Sequence, residues 1–553
     1  MRYKIIIIFV LLSSHSLSGQ DLEQVGEADP VDLSGSLSLQ TGYYNTSLSY
    51  NRQDPYAFSL MGSAVLSLYG WQVPFNVSYA NQQFNSGNPF QQFGLSPRYK
   101  WIQLHLGYSS MSFSPYTLNN HTFLGGGIEL TPGKFRFGIM YGRLREKQQQ
   151  LDGQYSSFHM PSFKRMGYGV KLGYGTSSSF LDLILFKASD DTTSLQSSED
   201  LAVLPSENLV LGISGRLQLS NALSWELHTA GSAYTRNLYS RATEDGEEYI
   251  PGVIASLFQP RHSSRFSYAG HTSLHLQLKG FSIKGTYKRI QPGFSSMGLY
   301  YITGDKEQYT IAPSLRLFQG RVSISGSLGL ENDNVKNTKA VTTHRQIGSA
   351  NFNWNTHGAF GLSLQYSNYQ MDQSAALLDL NDTTKIAMVN RNISIIPRLT
   401  FRKENKTHQI TFFANSQGLT DYNDFTSDMS ETNTYTGNLN YSFRNRDNYF
   451  KTKTGLNLTR LNTALSQIRR YGITLAVGKG FFDDKLTTNF RTNYSRNEVD
   501  GASAGYILGF HFNSGYQLPS GHAFSLMLKV TKNETENMRF SENMARLQYT
   551  YRF

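Results

Sequence analysis

Apolar and polar residues alternate with period two over most of this chain. In YGITLAVGKG, Tyr471, Ile473, Leu475 and Val477 share one face, and Gly472, Thr474, Ala476 and Gly478 share the other. In RVSISGSLGL, Val322, Ile324, Leu328 and Leu330 oppose Ser323, Ser325, Ser327 and Gly329. The last residues keep the rule: Leu547, Tyr549, Tyr551 and Phe553 alternate with Arg546, Gln548, Thr550 and Arg552. Successive side chains of a strand point to opposite faces, so each such segment predicts a strand with one apolar and one polar face. The connections alternate too. Short turns are expected around Gly70, Lys100, Pro132, Gly133, Ser177, Asn221, Gly280, Gly320, Gly358, Asn405, Asp447, Asp483 and Gly521, with longer polar segments such as REKQQQLDGQYSSFHMPS between them. The pattern predicts about 26 strands (24–28) at about 20 residues per strand and connection, a spacing that suits transmembrane barrels.

Composition agrees with strands rather than helices. Aromatics make up 13% of the 553 residues, with 34 Tyr and 35 Phe, Gly reaches 48, and only 16% are charged; this mixture favours strand formers. The start, MRYKIIIIFVLLSSHSLSGQ, has basic Arg2 and Lys4, an apolar core from Ile5 to Leu12 and a small polar stretch ending near Gly19. It reads as a secretory signal over residues 1–19, its apolar part too short to span a bilayer. Zero cysteines exclude disulfides, thiolate metal sites, Cys nucleophiles and a lipid anchor on Cys. No later run of apolar residues is long enough for a transmembrane helix.

An exported all-β chain with one wet strand face is either a soluble repeat protein or a closed barrel. A propeller or solenoid would show a sequence period, which is absent, and would bury both strand faces. The expected fold is therefore all-β: one large antiparallel transmembrane barrel over residues 33–553, with short periplasmic turns, longer extracellular loops and a short periplasmic segment, 20–32, before it. Aromatics near strand ends, Tyr69 with Trp71, Tyr99 with Trp101 and Phe481 with Phe482, suit interfacial girdles.

A terminal Phe preceded by apolar residues at every second position resembles the C-terminal signature of Gram-negative outer-membrane β-barrel proteins. The resemblance implies that Leu547, Tyr549, Tyr551 and Phe553 are the assembly signal read by the barrel assembly machinery, and that the mature chain is integral to the outer membrane in contact with its lipid. The stretch HTFLGGGIELTPGKFRFGIMYGR, His121 to Arg143, resembles large outer-membrane proteins of Bacteroidota. The short segment before the first strand leaves no room for the plug of a TonB-dependent transporter, or for the periplasmic domains of barrel-assembly, two-partner secretion or lipopolysaccharide-export barrels.

A circular barrel of this size is roughly 50 Å across between backbones. Left empty it would leak, so the lumen is expected to be flattened, filled by inward loops, or occupied by a lumen-filling or envelope-complex protein. The apolar IPGVIASLF within 249–260 is the best inward-loop candidate, against a contact over the rim. The alternation assigns Arg98, Lys100, Arg136, Lys171, Arg216, Lys279, Lys284, Lys288, Arg316, Arg398, Lys451, Lys453, Arg491, Lys529 and Arg546 to the lumen, with few acids, among them Asp182 and Glu226. Rings of cationic side chains favour anions or an acidic occupant; side chains near the periplasmic rim would instead meet water or lipid phosphate. The net charge of +11 suits both. The basic residues are scattered over strands, which speaks against nucleic acid.

Catalytic chemistry is thin. Glu226 and His228 on one strand, with His271 and His275 on the next, share the inner face, but two residues along a strand is about 7 Å. LGGGIEL lacks the following helix and Lys of a phosphate loop. The acidic stretches SDD, SSED and ENDN lack a Ca²⁺-loop spacing. No cofactor or metal is expected. The preferred reading is a non-enzymatic channel or transport component for polar or anionic solutes; its rival is a scaffold barrel of an envelope or secretion complex, closed by loops or a partner. An outer-membrane hydrolase stands third.

Overall fold

The computed structural model describes residues 31–81, 92–148, 161–195, 203–243, 251–252, 256–356, 358–376, 385–535 and 538–553. The expected signal and nearly all of segment 20–32 lie outside them. The described chain forms 27 strand segments in one antiparallel sheet. Two segments, Gln92–Leu95 and Arg98–Tyr99, are halves of one stave: both pair with Trp71–Ala80 and with Ile102–Ser112, interrupted where Pro97 removes a donor. The barrel therefore has 26 staves, in agreement with the alternation.

All twelve short connections lie where the sequence places them, from 69–70 to 518–521. The first is representative: Tyr69 and Gly70 both have positive φ, 46° and 83°. That geometry matches the right-handed twist of the flanking strands. The opposite rim carries the longer connections, with three exceptions, 464–466, 500–501 and 535–538, which are as short as turns and leave the C-terminal part of that rim low.

Closure is made by Val31–Thr46 and Arg539–Arg552, in register from Ser36 opposite Arg552 to Thr46 opposite Glu542. Phe553 extends the seam, its backbone N–H donating to Gly35 O (3.1 Å) and its carbonyl accepting from Gly35 N–H (2.8 Å). The sheet closes on itself, so most strand N–H and C=O groups find a neighbouring strand rather than water. Leu37, Leu39, Leu183, Leu274, Leu328, Leu475 and Leu547 point outward and are exposed, forming an apolar belt. At the turn rim Trp71 stacks on Tyr99 (5.0 Å, 17°). An apolar exterior on a closed barrel is the strand architecture that spans a bilayer, and short turns opposite longer loops are the outer-membrane arrangement. The protein is integral to the outer membrane, with the turns periplasmic.

The described part of 249–260 does not enter the lumen. Phe258 is buried against Leu209, Ala233, Leu185, Leu211 and Phe266, which share the outward face with exposed Leu183, Ile213 and Tyr268. Outward Lys187 donates to Leu257 O (3.2 Å), pinning this segment to the outer wall. An apolar loop needs an apolar surface, and a barrel that crosses lipid offers one on its outside.

Candidate functional site

Two other loops fold inward. Residues 113–118 follow Ile102–Ser112, and 291–302 follow Phe281–Ile290. They meet at a parallel bridge between Leu118 and Gly298, where Asn119 N–H donates to Gly298 O (3.1 Å) and Ser296 Oγ to Thr117 O (2.5 Å). Phe113, Tyr116, Leu118, Phe294 and Met297 are buried with inward Met111, Phe123, Met140, Ile184, Phe186, Val210, Ala230, Ala269 and Ile290. Inside the loops, backbone polar groups find partners on the wall: Asn208 Nδ2 and Ser232 Oγ donate to Ser295 O, and Met297 N–H donates to Asn208 Oδ1 (3.0 Å).

Small inner-face residues make the space. On Arg165–Gly175 the inward positions include Gly167, Gly169 and Gly173, while Tyr168, Leu172 and Tyr174 point out. A Cβ on Gly169 would come within 2.9 Å of Phe113, and one on Gly298 within 2.5 Å of Thr117 O. LGGGIEL serves the same packing: a Cβ on Gly127 would overlap Met111 Sδ. Phe186, fully buried, lies under both loops. Phe186→Ala is expected to cost about 3–5 kcal/mol through lost burial and the cavity left behind, read as a lower urea midpoint in detergent micelles.

A polar latch ties the loops to the wall. Glu226 and His228 share one strand and His271 lies directly opposite His228. His228 Nδ1 pairs with Ser214 Oγ (2.7 Å) and its Nε2 with Glu226 (3.2 Å). The two imidazoles stack at 4.9 Å, and His271 Nδ1 pairs with the Tyr116 hydroxyl (2.9 Å). Burial pushes the Tyr116 phenol well above its ordinary pKa, so it stays neutral. Ser–His–Glu order superficially suggests a nucleophile, but Ser214 is only 1% exposed and offers no face to a substrate. His275 is not part of the latch; it lines a polar cavity of about 490 Å³ on the periplasmic side with Arg216, Glu226 and Lys284. A second cavity, about 450 Å³, lies on the extracellular side with Tyr116, His271, Lys288 and Tyr300.

The basic residues divide into two arcs. Beside the loops they are largely paired: Arg136 holds Asp182 through two bonds (2.7 and 3.0 Å), Lys171 lies 3.8 Å from Glu129, and Arg216 and Lys284 converge on Glu226. Lys288, Arg98 and Arg316 also take inward register positions. Lys100 and Lys279 lie in periplasmic turns rather than on staves. Lys100 places its ammonium over the Tyr99 ring (5.4 Å), which makes it part of the girdle. The acidic stretch SDD is engaged in the same arc: Asp190 binds Arg145, Arg165 and Ser206. SSED lies outside the described residues.

Across the lumen the inner wall from Thr432–Asn445 to His522–Glu534 carries no inward acid, because Glu498 and Glu534 share the outward face with Tyr494 and Leu528. Lys453, Ala476, Arg491, His511 and Lys529 form one continuous register row, with no carboxylate bound to its cations among the described residues. Arg398, Lys451 and Arg546 face the same space. Arg402, Arg444, Arg470 and His511, which are not among the cations expected in the lumen, take this face by register: Arg402 pairs Thr407, Thr407 pairs Arg444, and Arg444 pairs Lys451. Period two within each stave carries their signal: Arg402 lies four residues from Arg398, Arg470 continues the face of Gly472, Thr474 and Ala476, and His511 opposes the face of Phe510 and Phe512.

No protein-family model matches the sequence, and no curated protein matches it. Solved structures similar in fold include the P pilus usher PapC translocation pore, 10% identical over 94% of this chain and 99% of that one, with a TM-score of 0.38. Pseudomonas aeruginosa OpdQ is 11% identical over 66% of this chain and 97% of its own, with a TM-score of 0.35. Pseudomonas aeruginosa OpdK, solved with vanillate, is 10% identical over 63% and 93%, with a TM-score of 0.31. Such low similarity carries no solute, partner or activity across to this chain.

Proposed function

We propose that this chain is an outer-membrane channel or transport component whose path runs along the acid-free wall opposite the two inward loops and favours anionic or polar solutes. The observation that carries this reading is the row of cations Lys453, Arg491 and Lys529, without a carboxylate partner among the described residues, on staves without an inward carboxylate. Fixed positive charge raises the local concentration of anions. Reconstitution of the purified chain in planar bilayers tests it: an anion-preferring conductance is expected, and a folded chain that never conducts would overturn it. The two inward loops favour a second reading, a scaffold barrel whose closure is completed by a partner; purification from native membrane with one stoichiometric companion would support it.

Assembly follows from the outward face of the closing strand. Leu547, Tyr549 and Tyr551 point to lipid, and Phe553 completes the seam with Gly35. They are the residues proposed to be read by the barrel assembly machinery. Deleting Phe553 is expected to lower the amount of assembled, heat-modifiable barrel while export continues; unchanged assembled levels in outer-membrane fractions would refute the role. The likeness of residues 121–143 to Bacteroidota outer-membrane proteins belongs to the same reading.

A further inference from the structure

The low part of the extracellular rim carries cations on its outside. Arg460 lies near the end of Phe450–Thr463 and Arg469 near the start of Gln467–Phe481, and they are direct register partners. Both point outward, since Arg460 shares its strand face with exposed Leu458 and Leu456, and Arg469 with exposed Tyr471 and Ile473. Like charges directly opposite each other on a sheet face are destabilising unless a counter-charge lies between them. Among the described residues neither guanidinium has a carboxylate bound, and Arg460 Nε donates to Asn462 Oδ1 (3.0 Å). Glu498 lies opposite Arg469 on the following strand and on the same outward face, but its carboxylate is taken by Arg496 (3.6 Å), and further round the rim Lys532 faces outward beside Glu534 (3.8 Å).

We infer that Arg460 and Arg469 form a clamp for the phosphate of a lipid in the outer leaflet. The guanidinium fork matches phosphate oxygens two at a time, and a pair on neighbouring strands, about 5 Å apart at the backbone, brackets one phosphate. Leu458, Leu456, Tyr471 and Ile473 continue beneath as exposed apolar surface for the acyl chains. The three-residue connection 464–466 leaves the headgroup side uncovered. A free phosphate would use the cations but not the apolar strip. The arrangement therefore assigns the site to a phosphorylated, multiply acylated lipid.

The test uses the full chain in detergent micelles, with diphosphorylated lipid A and the same lipid after enzymatic removal of its phosphates as probes, and retention read by native mass spectrometry. Wild type is expected to retain the phosphorylated form at least five-fold better than the dephosphorylated one. The double variant Arg460→Gln with Arg469→Gln is expected to lose that preference, whereas Arg470→Gln, whose side chain faces the lumen, is expected to keep it. Equal retention of both lipids by wild type, or equal loss in the Arg470→Gln variant, would overturn the clamp. So would full displacement of the lipid by an equal concentration of inorganic phosphate, which would assign the site to the free ion. Heat-modifiable mobility of each variant confirms that a folded barrel is being compared.

Discussion

Replacing Phe113, Tyr116, Leu118, Phe294 and Met297 with Ser is expected to raise single-channel conductance several-fold in planar bilayers. These side chains hold the two inward loops against nine consecutive staves, from Ile102–Ser112 to Phe281–Ile290. They are also what the loops would lose most by leaving, since each buried apolar side chain contributes about 1.5–3 kcal/mol. The exchange of Tyr116 also removes the bond to His271, and the remaining ties are hydrogen bonds with Asn208 and Ser232, worth about 1 kcal/mol each once exchange with water is counted. The balance then favours hydrated loops. The staves themselves keep their ladder and outer belt, so the barrel is expected to stay folded. An unchanged conductance in a variant with wild-type heat-modifiability would show that the loops do not limit the path.

Exchanging Lys453, Arg491 and Lys529 together for Glu is expected to invert ion selectivity. In wild type the reversal potential under a KCl gradient should have the sign of chloride preference; in the triple variant it should take the sign of potassium. The physical limit is screening. At 0.1 M salt the Debye length is about 10 Å, far less than the roughly 50 Å breadth of a circular 26-stranded barrel. A charged wall controls traffic only if ions are made to pass near it. The loops on the opposite arc reduce the unfavourable bulk path, so selectivity and loop position are linked: the preference should fade above about 1 M salt, where the Debye length is about 3 Å. Lys479→Glu serves as the comparison, because Lys479 shares its strand face with outward Val477 and lies over the Phe481 ring (5.5 Å). Lost selectivity in that variant, or its retention in the triple one, would sink the assignment of the path to this wall.

The staves and turns were legible because both are written locally. Period two in segments such as Arg469–Phe481 assigns faces residue by residue, and turns such as Tyr69–Gly70 demand few residue types. What fills the lumen was not legible in the same way. Apolarity in 249–260 states that the segment seeks a dry surface but not which side of the wall provides it, and Phe258 found the outer one. The loops that do enter are less apolar, and their signal lies elsewhere, in the inner-face glycines at 138, 142, 167 and 169 on two adjacent staves, where inward side chains would otherwise occupy the volume. Alternation speaks only for cations on staves, and Lys100 stands outside it, because a turn residue with positive φ no longer obeys alternation. The latch was half visible: Glu226, His228 and His271 could be placed on one face, but not Tyr116, which approaches from a loop far away in the chain.

The register row from Lys453 to Lys529 has a consequence for direction. Hydrogen-bonded rows run at right angles to the strands, and the strands are tilted by about 40°, so each step to the next strand also climbs about 3 Å along the barrel axis. Over the four steps from Lys453 through Arg491 and His511 to Lys529, the charge rises about 12 Å from the periplasmic mouth toward mid-membrane. The cations therefore form a spiral stair rather than a collar, and an anion that moves from one to the next advances through the membrane as it travels around the wall.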